Sequence, residues 1–156
     1  MLRAKLTIAG SNFIFSHINE NYGEYLSKEK KLRVIFRGIN VDYFNPKNIS
    51  VLKQEKLKQE WDLSSNKFTI LLPGRLTYWK GQEKFIESLN ILIEDYNVNN
   101  FQAVILGSDQ GRKVYSKKLI NLVQRYRLNK KIKFIQHCKE MPLAYSLADV
   151  VGISLS

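Results

Sequence analysis

The sequence is 156 residues long, 44% of them apolar, with a formal net charge of +11. That length fits about one ordinary domain, and that apolar share is enough for a core, which excludes disorder across the whole chain. A single cysteine, Cys138, excludes an internal disulfide and fits a reducing cytoplasm. No apolar run approaches the ~18–20 residues that cross a bilayer, and the stretch Met1 to Gly10 is too polar for a secretory signal. The expected location is cytoplasmic, with peripheral contact to the inner face of a membrane as an extension of it.

In chain order, Leu6-Thr7-Ile8-Ala9 reads as a short strand, and Ser11 as the N-cap of a helix running towards Tyr22-Gly23. Leu32 to Phe36 is a second apolar segment, ended by Arg37-Gly38, and Gly38 to Pro46 reads as a connection. These features predict a boundary within 31–47, dividing the chain into 1–46 and 47–156. Ile49 to Trp61 reads as a charged helix. Phe68 to Leu72 is a buried strand stopped by Pro73-Gly74. Phe85, Leu89, Leu92 and Tyr96 then recur at helical spacing.

Gln102 to Leu106 is the next strand, closed by Gly107. Leu119, Leu122, Val123 and Tyr126 mark another helix, and Ile132 to Ile135 another strand. Pro142 suits the first turn of a short helix through Leu147, and Asp149 to Ile153 reads as a last strand. Strands alternating with helices predict an α/β fold with a Rossmann-like parallel sheet and right-handed crossovers.

The positive charge is clustered. Ten basic residues and no acidic ones lie between Gly111 and Lys139: Arg112, Lys113, Lys117, Lys118, Arg125, Arg127, Lys130, Lys131, Lys133 and Lys139. Such a field attracts phosphates, whether of a nucleotide diphosphate, an anionic lipid or a nucleic acid. A solvated lysine-rich helix face is the plainer reading.

The most informative segment is Gly74-Arg75-Leu76-Thr77-Tyr78-Trp79-Lys80-Gly81, between a strand and a helix. A loop there lies at the carboxyl end of a parallel sheet, where open α/β folds bind ligands, and the next helix aims free N–H groups and a positive dipole at it. Arg75 brings a planar fork suited to phosphate oxygens, and Lys80 a compact charge. Together they make a diphosphate clamp; a surface turn with two ordinary cations is the alternative. The spacing fits neither a Walker loop nor the dinucleotide glycine fingerprint.

Several segments, in this order, resemble the family-4 retaining glycosyltransferases of the two-Rossmann-domain (GT-B) type, also called glycosyl transferases group 1. Ile8 to Ile14 resembles the last strand and following helix of that family's acceptor domain. Val34 to Pro46 resembles the interdomain connection, with Asn40 where aspartate is usual. Gly74-Arg75-Leu76 with Lys80-Gly81 resembles the donor-phosphate loop, Leu106-Gly107-Ser108 the glycine ending the second strand, and Leu143 to Val150 the helix leading to the fourth.

The resemblance implies a nucleotide diphosphate sugar as donor substrate, with no further cofactor and no metal. Gly74 would admit the donor to the backbone, and Arg75 and Lys80 would contact its diphosphate and stabilise the departing charge. Gly107 and Ser108 would line the same cleft, and His137, Cys138 and Lys139 would hold the nucleobase. The two histidines, His17 and His137, lie far apart in sequence and form no metal constellation. Cys138 has no partner cysteine and reads as structural or pocket-lining.

The departures from the family pattern are large. Most of the acceptor domain would precede Leu6, and the helix bearing two glutamates that holds the donor sugar and ribose would follow Ser156. The resemblance therefore implies a fragment truncated at both ends and inactive alone, with the missing halves as separate chains in a two-chain enzyme as one form of it. Transfer needs both substrates held face to face. Two other readings compete: a non-catalytic module binding a nucleotide or a partner chain, and a basic nucleic-acid-binding domain. No recognised nucleic-acid motif supports the latter.

Overall fold

The computed structural model describes residues 5–26 and 31–153, with residues 24–26 described in their backbone alone. The segments Met1 to Ala4 and Ser154 to Ser156, which enter the sequence reading, lie outside the described residues. The chain divides into two compact units, Met1–Val41 and Asp42–Ser156.

The first unit is a β-α-β element. Strand β1 (Thr7–Ala9) pairs in parallel with β2 (Leu32–Val34), and α1 (Asn12–Leu26) lies between them in sequence. Ser11 does cap α1: its hydroxyl oxygen accepts the Ile14 N–H at 3.2 Å. The helix continues through Gly23 instead of stopping there. Glycine lowers helix propensity by about 1 kcal/mol but ends a helix only where a left-handed turn follows.

The second unit begins with a turn of 3-10 helix at Pro46–Asn48, where the Asn45 side chain accepts from the Lys47 N–H at 3.0 Å. It continues with α2 (Val51–Glu60), β3 (Phe68–Pro73), α3 (Gln82–Glu94), β4 (Phe101–Leu106), α4 (Lys113–Arg125), β5 (Ile132–Ile135), α5 (Met141–Ser146) and β6 (Val150–Val151). All strand pairs are parallel, in the order β5-β4-β3-β6.

Every residue of β4 is buried, as expected of a parallel strand covered on both faces. Its alternation sorts the core into two layers. Phe101, Ala103 and Ile105 pack with Ile86 and Leu89 of α3 and with Leu119 and Val123 of α4. Val104 and Leu106 pack with Leu57 of α2, Trp61, and Leu143 and Ala144 of α5. Helices therefore cover both faces of the sheet.

The amino-terminal rim of the sheet is fastened by side chains. The Asp149 carboxylate accepts the Thr69 N–H at 2.7 Å. The buried Gln102 amide accepts from the Ser64 N–H at 2.9 Å and donates to the Ser64 carbonyl at 2.9 Å and to the Thr69 hydroxyl at 3.0 Å. Among the described residues, no helix is long and apolar enough to cross a membrane.

Candidate functional site

The chain runs from β3 outward to β4 and β5, then returns to place β6 on the other side of β3. That reversal marks β3 as the switch strand, and ligands of open α/β sheets sit outside the carboxyl ends of strands at this point. The segment from Gly74 to Gly81 leaves β3 there. Gly74 has φ of +153° and Gly81 φ of +63°, backbone angles that side chains disfavour. Between them lies a turn of 3-10 helix, Tyr78–Lys80, and α3 starts at once after it.

The loop is tied to its neighbour strand by backbone alone. The Gly74 N–H donates to the Leu106 carbonyl at 2.8 Å, and the Leu76 N–H to the Ser108 carbonyl at 3.0 Å. Gly107 sits under this crossing: a Cβ built on it would lie 2.0 Å from the Gly74 carbonyl oxygen. Only a residue without a side chain permits that approach.

A cavity of about 340 Å³ opens at the ends of β3, β4 and β5, and its walls include Gly74, Arg75, Gly107, Ser108, His137 and Cys138. Six of the residues singled out in the sequence thus converge on one space. The other two lie beside it. Lys80 is half-buried, and its aliphatic stem lies near Gly74, 3.8 Å from where a Cβ on that glycine would stand. Lys139 lines an adjoining cavity of about 450 Å³ that shares His137 and Cys138 and reaches Lys53, Lys56 and Trp61.

Arg75 is exposed, with its guanidinium 3.5 Å from the Gln110 side-chain oxygen. The same oxygen accepts from Arg112 at 3.0 Å, so two guanidinium groups meet at one acceptor. Below them, the Gly111 N–H, with help from Lys113, holds the Asp109 carboxyl below the usual carboxylate range. Burial pushes the Cys138 thiol up, away from the thiolate form that a nucleophile needs.

Sequence reasoning passed over three contributors. Gln110 was not singled out, and Arg112 counted only as part of the basic stretch. Gln82, although polar, is 1% exposed and donates to the Arg75 carbonyl at 2.8 Å. A signal for Gln82 was present: it stands four residues before Ile86 and seven before Leu89, on the helix face that faces the core.

A parallel, helix-covered sheet with its loops gathered at the carboxyl rim of the switch strand is the architecture of the GT-B glycosyltransferases, and solved structures of that type superpose on it. One is a glycosyltransferase from Rickettsia africae, 30% identical, with a TM-score of 0.86 over 97% of this chain and 38% of its own. Another is Alr3699/HepE from Anabaena in complex with UDP-glucose, 24% identical, with a TM-score of 0.81 over 97% of this chain and 38% of its own. A third is WaaG, a glycosyltransferase involved in lipopolysaccharide biosynthesis, 16% identical, with a TM-score of 0.73 over 95% of this chain and 37% of its own.

The chain belongs to the glycosyl transferases group 1 family, whose model matches residues 53–156. It spans 38% of the length of the first two of these structures. A search of the curated proteins finds no match.

Proposed function

We propose that the second unit holds the nucleoside diphosphate of a nucleotide-sugar donor at the carboxyl ends of β3, β4 and β5. The observation that carries this reading is the convergence of Gly74, Arg75, Gly107, Ser108, His137 and Cys138 on one cavity at that rim. Arg75 and Lys80 meet the diphosphate, Gly74 and Gly107 let it approach the backbone, and the segment His137 to Lys139 faces the base. The complex of the Anabaena relative with UDP-glucose supports a uridine donor as the first to test.

The reaction we propose for this site is retaining transfer of the sugar to a hydroxyl acceptor, with an envelope or lipid-linked saccharide as the acceptor class. The role of the WaaG relative in lipopolysaccharide biosynthesis supports that class. Lys117, Arg125, Arg127 and Lys130 are exposed, and such a surface suits an anionic membrane where these acceptors reside.

Calorimetric titration with UDP, UDP-glucose, GDP and ADP tests the donor site. Arg75→Ala is expected to weaken UDP binding about tenfold or more, the size of a lost charge-assisted hydrogen bond, and Lys80→Ala to add to it. Because Arg75 is exposed, its replacement is expected to leave Tm within about 2 °C. A double variant that binds UDP as tightly as the native chain would overturn the reading.

A further inference from the structure

We infer that Gln82 is a positioning residue of this site, holding the backbone of Arg75 through a part-buried hydrogen-bond chain that begins at Tyr115; the inference rests on the donor-site reading above. Gln82 opens α3 and is 1% exposed. Its amide nitrogen donates to the Arg75 carbonyl at 2.8 Å, and its amide oxygen accepts from the Tyr115 hydroxyl at 3.2 Å. Both ends of the amide are thus engaged, by the loop after β3 on one side and by α4 on the other.

Such a side chain is a poor choice for packing alone. The same helix face continues with Ile86 and Leu89, and an aliphatic residue at position 82 would fill the space without bringing a polar group out of water. An amide there gains specificity instead, because it must find both partners. Tyr115 is suited to its end of the chain. Burial, and then the nearby Glu83 charge, push its hydroxyl up to about 12, so it remains a donor across the physiological range. The bond to Gln82 ties α4 to the first residue of α3, where Gly81 supplies no side-chain cap.

The consequence falls on Arg75. Its guanidinium has one long, exposed contact, to Gln110 at 3.5 Å, which does little to hold it. Its direction is set by its backbone: the peptide joining it to Leu76 is anchored by Gln82 at the Arg75 carbonyl and, on the opposite edge, by the Leu76 N–H to Ser108 bond. Removing the Gln82 bond leaves that peptide tied by the Leu76 N–H, with the Thr77 hydroxyl 3.5 Å from the carbonyl oxygen, so the loop stays folded while the peptide plane gains freedom to tilt.

The test uses the full chain, with UDP and uridine as paired probes and hydrogen exchange as a separate readout. Gln82→Met is expected to weaken UDP binding about tenfold and Tyr115→Phe about threefold, with uridine affinity changed less than about twofold. Amides from Gly74 to Gly81 should exchange faster in Gln82→Met. Equal losses for UDP and uridine would mean general damage to the fold and overturn the inference. So would native UDP affinity in Gln82→Met alongside a binding-deficient Arg75→Ala, and that result would leave the donor-site reading standing. Native UDP affinity in Arg75→Ala overturns the inference, and native affinity in the Arg75→Ala, Lys80→Ala double variant overturns the donor-site reading as well. Should Gln82→Met not fold, Tyr115→Phe, which keeps the ring and removes only the hydroxyl, decides by the same criteria.

Discussion

Gly107→Ala is expected to lower stability by about 3 kcal/mol or more and to abolish UDP binding, from the combined cost of overpacking and of lost backbone hydrogen bonds. The added methyl would lie 2.0 Å from the Gly74 carbonyl oxygen, 2.6 Å from its carbon and 3.1 Å from the Arg75 nitrogen. All three are backbone atoms, so no side chain can swing aside. Relief requires the ends of β3 and β4 to separate. That separation stretches the Gly74 N–H to Leu106 bond, at 2.8 Å, and the Leu76 N–H to Ser108 bond, at 3.0 Å. Urea unfolding with parallel UDP titration checks both halves of the expectation. Gly38→Ala is the control, since nothing lies within 4 Å of a Cβ at that position. A Gly107→Ala midpoint equal to that of the control would refute the steric argument.

Phe101→Ala should destabilise the second unit by roughly 3–5 kcal/mol, the usual cost of emptying a buried aromatic site. Phe101 is 1% exposed and opens β4 inside the layer built with α3 and α4. The Lys131 ammonium lies 4.8 Å from its ring centroid, so the substitution also removes a cation–π contact. A domain of this size has a total stability of only about 5–15 kcal/mol, which leaves the variant near its unfolding threshold at 37 °C. Phe101→Leu, which keeps most of the volume, should recover more than half of the loss. A Phe101→Ala midpoint within error of the native chain would show that the ring is not a structural anchor.

How far the sequence leads depends on which force sets each element. The strands from Phe68, Gln102 and Ile132 were legible because a fully covered parallel strand is a short apolar run with a turn residue behind it. The start of α4 was not: its first turn, Lys113 to Ser116, carries no cap side chain and no acidic residue. The last strand was read as Asp149 to Ile153; the strand itself is Val150–Val151, flanked by Asp149 and Gly152, whose N–H groups donate to the Thr69 and Leu71 carbonyls of β3. Strand order follows from long-range packing and has no local signature.

In the site, the glycines and cations of the loop after β3 stood out by type and spacing. Gln82 did not, because a polar residue beginning a helix reads as solvent-facing until its place four residues before Ile86 is weighed. Gln110 and Arg112 were hidden for a different reason. Gln110 adopts φ of +48°, and the turn it makes with Gly111 brings both residues beside Arg75, a proximity that sequence distance conceals.

The two margins of the sheet are built from different materials. Where the strands begin, carboxylate and amide groups of Asp149 and Gln102 lace one segment to the next. Where they end, bare main chain rests on bare main chain at Gly74 and Gly107. Side-chain fastening is thereby assigned to the beginnings of the strands, and recognition to their ends, where Gly107 carries stability as well. A random-mutagenesis screen for heat resistance and one for donor affinity should therefore overlap at the Gly74 and Gly107 crossing and diverge elsewhere, which leaves side chains such as Arg75 free to change ligand preference without loosening the frame.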